Sequence, residues 1–248
     1  MIKLVIRESQ LRRLESHAEA RFEERMVDRS FEYFPQQCGF LGAPRVHEVV
    51  RFGMARAAER GYLSQIEQSY YLALMFMLGA GFETDPALPF VGPVLTSPRI
   101  ASPAARIAAC YDRAMPFLDA ICGEDNEHLV RALVRMRDFD LEAFDVPSPA
   151  RLSDAIAAAL EALYPEKAAV LGGAVMRELA ITGAEVARRS GLEHPRGAMV
   201  CAGLAFMLGS GFDRDPQFPW VEDALRVHEH RAEQLHDGAM AYLRAALA

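Results

Sequence analysis

Apolar residues recur at intervals of three and four positions along most of the chain, which is the spacing of one face of an α-helix. Alternation of apolar and polar residues, the pattern of strands, is almost absent. One row of apolar residues on a single helix face, an apolar stripe, predicts a helix that ends at Pro35. A second apolar stripe predicts a helix from Leu152 to Tyr164 that ends at Pro165. The pattern therefore predicts an all-α protein. The first stripe consists of Leu11, Leu14, Ala18, Phe22 and Met26.

Capping signals predict where further helices begin. Ser64 is followed three residues later by Glu67, the spacing of a capping box, and an apolar helix to about Phe82 follows. Ser102 precedes Pro103 as an N-cap precedes a first-turn proline, and Gly123 ends that helix. Pro219 likewise fits the first position of the last helix.

An internal repeat is the most informative feature of the sequence. The segment LMFMLGAGFETDPALPFV, residues 74–91, recurs as LAFMLGSGFDRDPQFPWV at residues 204–221, with 11 of 18 positions identical. Chance would give about one identity in such a window, given average amino-acid usage. The same offset of 130 residues extends backwards without a gap, through Gly42 and Gly172, to Pro35 and Pro165.

The repeat predicts two tandem copies of one unit with four to five helices, packed about a pseudo-twofold axis. We place the first copy at residues 1–123 and the second at 148–248, joined by a connecting segment at 124–147. Each copy also contains a row of three small residues at positions i, i+4 and i+8. Because glycine destabilises a helix, such a row predicts that another helix packs closely against this face. These rows are Gly53, Ala57 and Gly61 in the first copy and Gly183, Ala187 and Gly191 in the second.

Composition narrows the class of protein. The chain has 248 residues, 51% hydrophobic and 25% charged, with a mean hydropathy of +0.02, which excludes a disordered chain and an integral membrane protein. The net charge of −7 argues against nucleic acid or an anionic membrane surface as the main partner. The uncharged runs at 68–82 and 198–212 are shorter than the roughly 18 residues of a membrane span.

The four cysteines are far apart and lack zinc-finger spacing, so we interpret them as apolar core residues in a reducing compartment. They are Cys38, Cys110, Cys122 and Cys201. The apolar stretch at residues 1–6 is too short for the core of a signal peptide. These features together predict a cytoplasmic location.

The repeated loop Gly-x-Gly-Phe-x-x-Asp-Pro-x-x-Pro has a structural and a functional interpretation. Its glycines permit a left-handed helix end, and its aspartate can accept a hydrogen bond from the N–H two residues on. As turn formers alone, both aspartates should tolerate replacement by asparagine. In the functional interpretation the acidic residues form a rim for cations or a basic partner. The candidate binding residues are Glu83, Asp85, Asp213, Asp215 and Trp220.

The one dense cluster of titratable residues lies near the C-terminus, at His228, Glu229, His230, Glu233 and His236. Glu233 and His236 match half of a di-iron motif, but the matching place in the first copy is Ala108-Ala-Cys-Tyr111. We therefore expect a solvent-facing helix, no metal and no cofactor. The motifs of nucleophilic hydrolases, zinc proteases and P-loop enzymes are absent from the sequence, and no catalytic residue is assigned.

Several of these motifs together resemble a family of small, uncharacterised bacterial helical proteins. They are Arg21-Phe-Glu-Glu-Arg-Met-Val27, Phe34-Pro35, the helix from Gly53 to Gly61 and the loop motif from Leu74 to Pro89. Trp220 fits the family where the first copy has Phe90. Genes of that family tend to lie beside toxin and type VI secretion effector genes, and no catalytic residues are established for it. The resemblance implies an accessory, adaptor or immunity role.

The preferred hypothesis is a non-catalytic, helical protein-binding module that serves a toxin or a type VI secretion system, with a protein as its partner. A homodimer also stays open. The alternative is a small metal-dependent or hydrolytic enzyme with its site between the two halves. A closed polar cavity would favour the enzyme, whereas an exposed apolar or acidic groove would favour the binding protein.

Overall fold

The computed structural model describes residues 7–146, 148–192, 194–226 and 231–246, and these ranges form twelve α-helices and no strand. The helices before the connecting segment are α1 (Glu8–Tyr33), α2 (Pro35–Leu41), α3 (Ala43–Glu59), α4 (Gln65–Leu78), α5 (Val91–Leu95) and α6 (Pro103–Cys122). The predicted all-α class is confirmed for the described residues.

The rest of the described chain is also helical. Its helices are α7 (Glu127–Arg137), α8 (Leu152–Leu163), α9 (Pro165–Arg189), α10 (Pro195–Leu208), α11 (Pro219–Arg226) and α12 (Arg231–Ala246). Helix α9 is kinked at Gly172, which has φ +77°, at the position that corresponds to Gly42 between α2 and α3. None of the described helices combines the length and the apolar character needed to cross a lipid bilayer.

The predicted apolar stripe of α1 is buried along only part of the helix. Phe22 and Met26 are buried, but Leu14 is 58% exposed. Helix α1 packs against α2 and α3, and residues 16–21 are exposed. An apolar stripe indicates which face can be buried, while a neighbouring element decides how much of it is.

The predicted helix starts agree with the structure. The Ser64 hydroxyl accepts a bond from the Glu67 N–H at 3.3 Å, and the Glu67 carboxylate accepts one from the Ser64 N–H at 2.8 Å. The Ser102 hydroxyl accepts from the Ala105 N–H at 3.1 Å. Pro219 opens α11, which ends at Arg226, so a further helix follows where one helix was expected.

The rows of small residues have two roles rather than one. A Cβ on Gly183 would lie 2.3 Å from the Cα of Ala202, so α9 and α10 meet here with their backbones in contact. Gly61 and Gly191 were expected in the same helical rows, but they lie beyond the helix ends with φ of +82° and +72°. The expectation was wrong for these two glycines, because they form the left-handed turn that ends each helix.

Two hydrophobic cores form, one in each half of the chain. The first is built around α3, α4 and α6 and the second around α8, α9 and α10. Across the boundary α2 packs against α12, and α9 packs against α6. Three of the four cysteines, Cys38, Cys110 and Cys201, are fully buried in these cores.

The contact at Gly183 gives a testable difference between two helical glycines. Gly183→Ala should lower the free energy of unfolding by about 1–3 kcal/mol, because backbone of α10 must move to admit the methyl group. Gly203→Ala in α10 is the matched control, since a Cβ there meets nothing within 4 Å. It should leave stability unchanged or raise it by about 0.5–1 kcal/mol through helix propensity. Chemical denaturation of both variants measures the difference, and equal losses would contradict it.

Candidate functional site

The two repeated loops lie against each other where the halves of the chain meet. We call residues 79–90 and 209–220 the paired loops. Each begins with a glycine of positive φ that ends the preceding helix, Gly79 after α4 and Gly209 after α10. A single 3-10 turn follows in each loop, Phe82–Thr84 and Phe212–Arg214, and then the aspartate.

Each aspartate binds backbone of both loops. One oxygen of Asp85 accepts from Ala87 N–H in its own loop at 2.8 Å, and the other accepts from Ser210 N–H at 2.7 Å. Asp215 repeats this arrangement, accepting from Gln217 N–H at 2.9 Å and from Ala80 N–H at 2.6 Å. The bond two residues on, expected from the sequence, is therefore confirmed in both loops. The bonds between the loops were not predicted.

Glycine is required where the paired loops touch. A Cβ on Gly81 would lie 3.0 Å from the backbone of Gly211, and one on Gly79 would lie 2.5 Å from the carbonyl oxygen of Leu208. Real Cβ atoms essentially never approach backbone as closely as at Gly79, and the distance at Gly81 is tighter than nine in ten real Cβ contacts. The loop glycines thus allow the close approach across which the aspartates form their bonds.

Burial dominates the electrostatics of both aspartates, which are 5% and 4% exposed. It raises the pKa of Asp85, against the lowering effect of its two backbone donors and of Lys167. It raises the pKa of Asp215 to about 6, against bonds from Ala80 and Gln217. The folded state therefore holds the Asp215 proton more tightly than the unfolded chain, and this group's contribution to stability decreases as pH rises from about 4 to 6.

The other candidate binding residues also have partners within the chain. Glu83 forms ion pairs with Arg56 and Arg60, and Asp213 pairs with Arg189 at 2.7 Å. The expected acidic rim is not formed as an exposed surface, because all four carboxylates are largely buried and bonded to the chain itself. Trp220 is half-buried, and its ring packs against those of Phe218 and Tyr242.

A cavity of about 200 Å³ lies between the halves beside the paired loops. Its lining includes Lys167 and Asp85, whose charges attract each other. The Lys167 ammonium donates to the carbonyl oxygen of Phe206 and lies 4.9 Å from the centre of that ring. Burial lowers the pKa of Lys167 to about 8, while the Asp85 carboxylate acts in the opposite direction.

Two differences between the halves lie at or beside this cavity. Lys167 is 130 residues after Gln37, and Gln217 is 130 residues after Ala87. The Gln217 amide fills its side by bonding to Gln37 at 2.7 Å and to the carbonyl oxygen of Met75 at 2.9 Å. Ala87 is too short to do the same near Lys167. Neither Gln217 nor Lys167 was predicted as a site residue, although each is a polar residue that differs from its counterpart in the other copy of the repeat.

A larger and more open groove lies on the outside of the first half, with a volume of about 560 Å³. We call it the first groove. Tyr70, Ala73 and Met77 of α4 line it, together with α1 and α6. Tyr33 and Ile66, two of its large apolar side chains, are 67% and 69% exposed. Within its described lining Arg29 is the one residue with an ionisable charge at neutral pH.

The corresponding place in the second half, which we call the second groove, retains only about 70 Å³ of space. Residues 130 positions after Tyr33, Tyr70 and Met77 line it: Leu163, Val200 and Met207. His236, which the repeat aligns with Tyr111 of the first groove, lines it as well. Three residues of the connecting segment complete its lining, namely Met136, Phe139 and Leu141. The chain itself therefore covers the second groove and leaves the first open.

The predicted histidine cluster is only partly visible. His228, Glu229 and His230 lie outside the described residues, while Glu233 and His236 are on α12. Across the described ranges no three His, Cys, Asp or Glu side chains are grouped so that they could hold a metal ion.

The bonds between the paired loops change what asparagine should do there. Both oxygens of each aspartate accept a backbone N–H, so an asparagine must direct its NH₂ group at one of these donors. We expect Asp85→Asn and Asp215→Asn each to lower the free energy of unfolding by about 1–3 kcal/mol. Asp223→Asn, on an exposed face of α11, is the control. Melting temperatures unchanged in both loop variants would contradict the bonding.

The pKa of Lys167 predicts a pH dependence. The unfolded chain binds the lysine proton between about pH 8 and 10.5 and the folded protein does not, so stability from this group rises with pH across that range. From pH 7 to 10.5 the unfolding free energy of wild type should therefore rise relative to that of Lys167→Met, by on the order of 3 kcal/mol. Both proteins carry Cys122→Ser, because the pKa of this thiol depends on Lys167 and its titration would otherwise differ between them. A constant difference would show that Lys167 keeps an ordinary pKa.

Comparisons with known proteins leave the chain without an assigned family. It matches no model of a protein family, no curated protein and no solved structure. The paired loops, the cavity and the two grooves are therefore the basis for assigning a function.

Proposed function

We propose that the chain is a non-catalytic, helical protein-binding module whose binding surface is the first groove. The observation that carries the proposal is the contrast between the grooves: one is open with about 560 Å³ of space, and the other is covered by the chain's own connecting segment. Apolar grooves rimmed by polar residues are a common form of protein interaction site. Tyr70 and Tyr111 add paired aromatic rings, 5.4 Å apart, of the kind enriched at interfaces.

The proposal includes the tandem duplication, which makes the two grooves comparable. Helix bounds at matching positions support it, such as α4 and α10, which end 130 residues apart at Leu78 and Leu208. The reciprocal bonds of Asp85 and Asp215 support a pseudo-twofold relation between the halves, because each loop gives the other the same pair of partners. Packing of α2 on α12 and of α9 on α6 has the same reciprocal form.

The biological role is proposed from the family resemblance. An adaptor, accessory or immunity protein of a bacterial toxin or type VI secretion system needs a surface for one protein partner, and the first groove supplies an apolar one. Lack of a catalytic assignment is consistent with such a role. The resemblance itself has no counterpart among the protein comparisons.

An enzyme with its site between the halves is a second candidate, favoured by Lys167. A buried amine with a pKa of about 8 can act as a base or nucleophile. The cavity beside it is about 200 Å³, however, which is below the roughly 300 Å³ at which small-molecule sites begin. Its ammonium is also directed at a backbone carbonyl and faces Asp85. These interactions support a structural role for Lys167 better than a reacting amine.

Two neighbouring apolar residues provide a matched test of the first groove. Ile66 lines it and is 69% exposed, whereas Leu63 is 73% exposed and is not part of its lining. Ile66→Glu adds a charge at the groove and should lower affinity for the native partner at least about tenfold, and Leu63→Glu should leave it unchanged. Proteins captured from the native bacterium by wild type and by both variants are compared quantitatively.

Both substitutions lie in or beside the first turn of α4, where an added carboxylate is compatible with the helix dipole, so both variants should fold. A partner lost in Ile66→Glu and retained in Leu63→Glu supports the proposed surface. Equal capture by all three proteins would contradict it, and a tightly held small molecule in its place would favour the enzyme.

A further inference from the structure

We propose that the first groove takes an amphipathic helix followed by a turn, presented by a partner protein, with a carboxylate that pairs with Arg29. The inference rests on the proposed binding role and specifies the chemistry of the partner. The chain's own connecting segment shows what such an occupant looks like, because it covers the second groove in this way.

In the second groove, the occupant is the C-terminal end of α7 and the turn after it. Met136 of α7 and Phe139 and Leu141 of the turn line the groove, and Leu133, one turn before Met136, is buried in the core of the second half. The opposite side of α7 is exposed, as at Val134 and Arg137. The buried residues are thus spaced three, three and two apart, which is the pattern of an amphipathic helix that ends in a groove and then turns.

The first groove has a similar floor. Ala73 and Met77 of α4 correspond to Gly203 and Met207 of the second groove. Both grooves are therefore lined by a small residue and by a flexible methionine side chain. Methionine adapts its shape to an apolar anchor more readily than branched residues do. A helix carrying leucine, methionine or phenylalanine anchors therefore fits chemically in the first groove as α7 and its turn do in the second.

Two charged positions differ between the grooves and define what the partner must carry. Glu142 of the connecting segment pairs with Arg196, and the position matching Arg196 in the first half is Ile66. Arg29, in turn, matches Ala159. The partner is therefore expected to place an apolar group near Ile66 and its carboxylate near Arg29. The connecting segment differs, because its carboxylate, Glu142, lies beside the position that matches Ile66.

A peptide of residues 127–144 is the probe, because it contains the anchors that cover the second groove. Added to the full-length protein, it should bind the first groove, and a benzophenone side chain in place of Tyr70 should crosslink to it. Replacing Leu133, Met136 and Phe139 of the peptide by serine should abolish binding. Fluorescence anisotropy of the labelled peptide measures the affinity.

Position 66 tests the orientation of the bound peptide. Ile66→Arg recreates the partner that Glu142 has in the second groove and should tighten binding by up to about fivefold, as exposed ion pairs allow. Ile66→Glu faces Glu142 with a like charge and should weaken binding at least about tenfold. Leu63→Glu is the control and should bind as wild type. Arg29→Ala should leave the affinity for this peptide nearly unchanged, yet weaken binding of the native partner.

Failure of this inference can be distinguished from failure of the proposed function. No binding at about 1 mM peptide, or binding that is insensitive to both Ile66 variants, would overturn the helical occupant even if Ile66→Glu loses a captured protein. Sedimentation that shows a wild-type dimer, dissociated by Ile66→Glu, would make a second copy of the chain the occupant. A native partner retained by Arg29→Ala would overturn the paired carboxylate.

Discussion

The structure depends on two buried carboxylates that each bind the backbone of both halves. A carboxylate removed from water must find donors inside the protein, and here one N–H comes from its own loop and one from the opposite loop. The donors come within reach because Gly81 and Gly211 let the two backbones touch. A substitution in one loop therefore alters the bonding of both loops.

The junction also explains how similar segments acquire different surroundings. Glutamine at position 217 bonds to Gln37 and to the carbonyl of Met75, whereas alanine at position 87 lines a cavity together with Lys167 and Asp85. The Gln217 amide also donates to the Asp215 carboxylate, while the Lys167 ammonium donates to the carbonyl oxygen of Phe206. Burial of the ammonium costs desolvation, which this bond and the attraction of the Asp85 charge offset in part.

The grooves differ for an equally local reason. There is one connecting segment and there are two grooves, so α7 and its turn can cover only the groove beside them. The open groove exposes large apolar side chains to water, as at Tyr33 and Ile66. Clustered exposed apolar side chains on a folded protein are a feature of interaction sites. The unequal covering of two similar surfaces is the observation on which the proposed binding site rests.

Periodicity and capping determined the helical class and most helix starts, because helix propensity, N-caps such as Ser64 and the effect of Pro35 are local properties. They could not show that α1 stays exposed at Leu14, that Gly61 lies beyond a helix, or that Asp85 bonds to Ser210. Each of these three features depends on which element packs against the residue. A contact between residues 125 positions apart produces no periodic pattern in the sequence. The sequence marked the loop motif as important, but only the tertiary structure decided that its acids face inward and that the accessible surface is the first groove. The physical reason is that burial of a side chain is a property of its neighbours, and those neighbours are chosen by the packing of the whole chain.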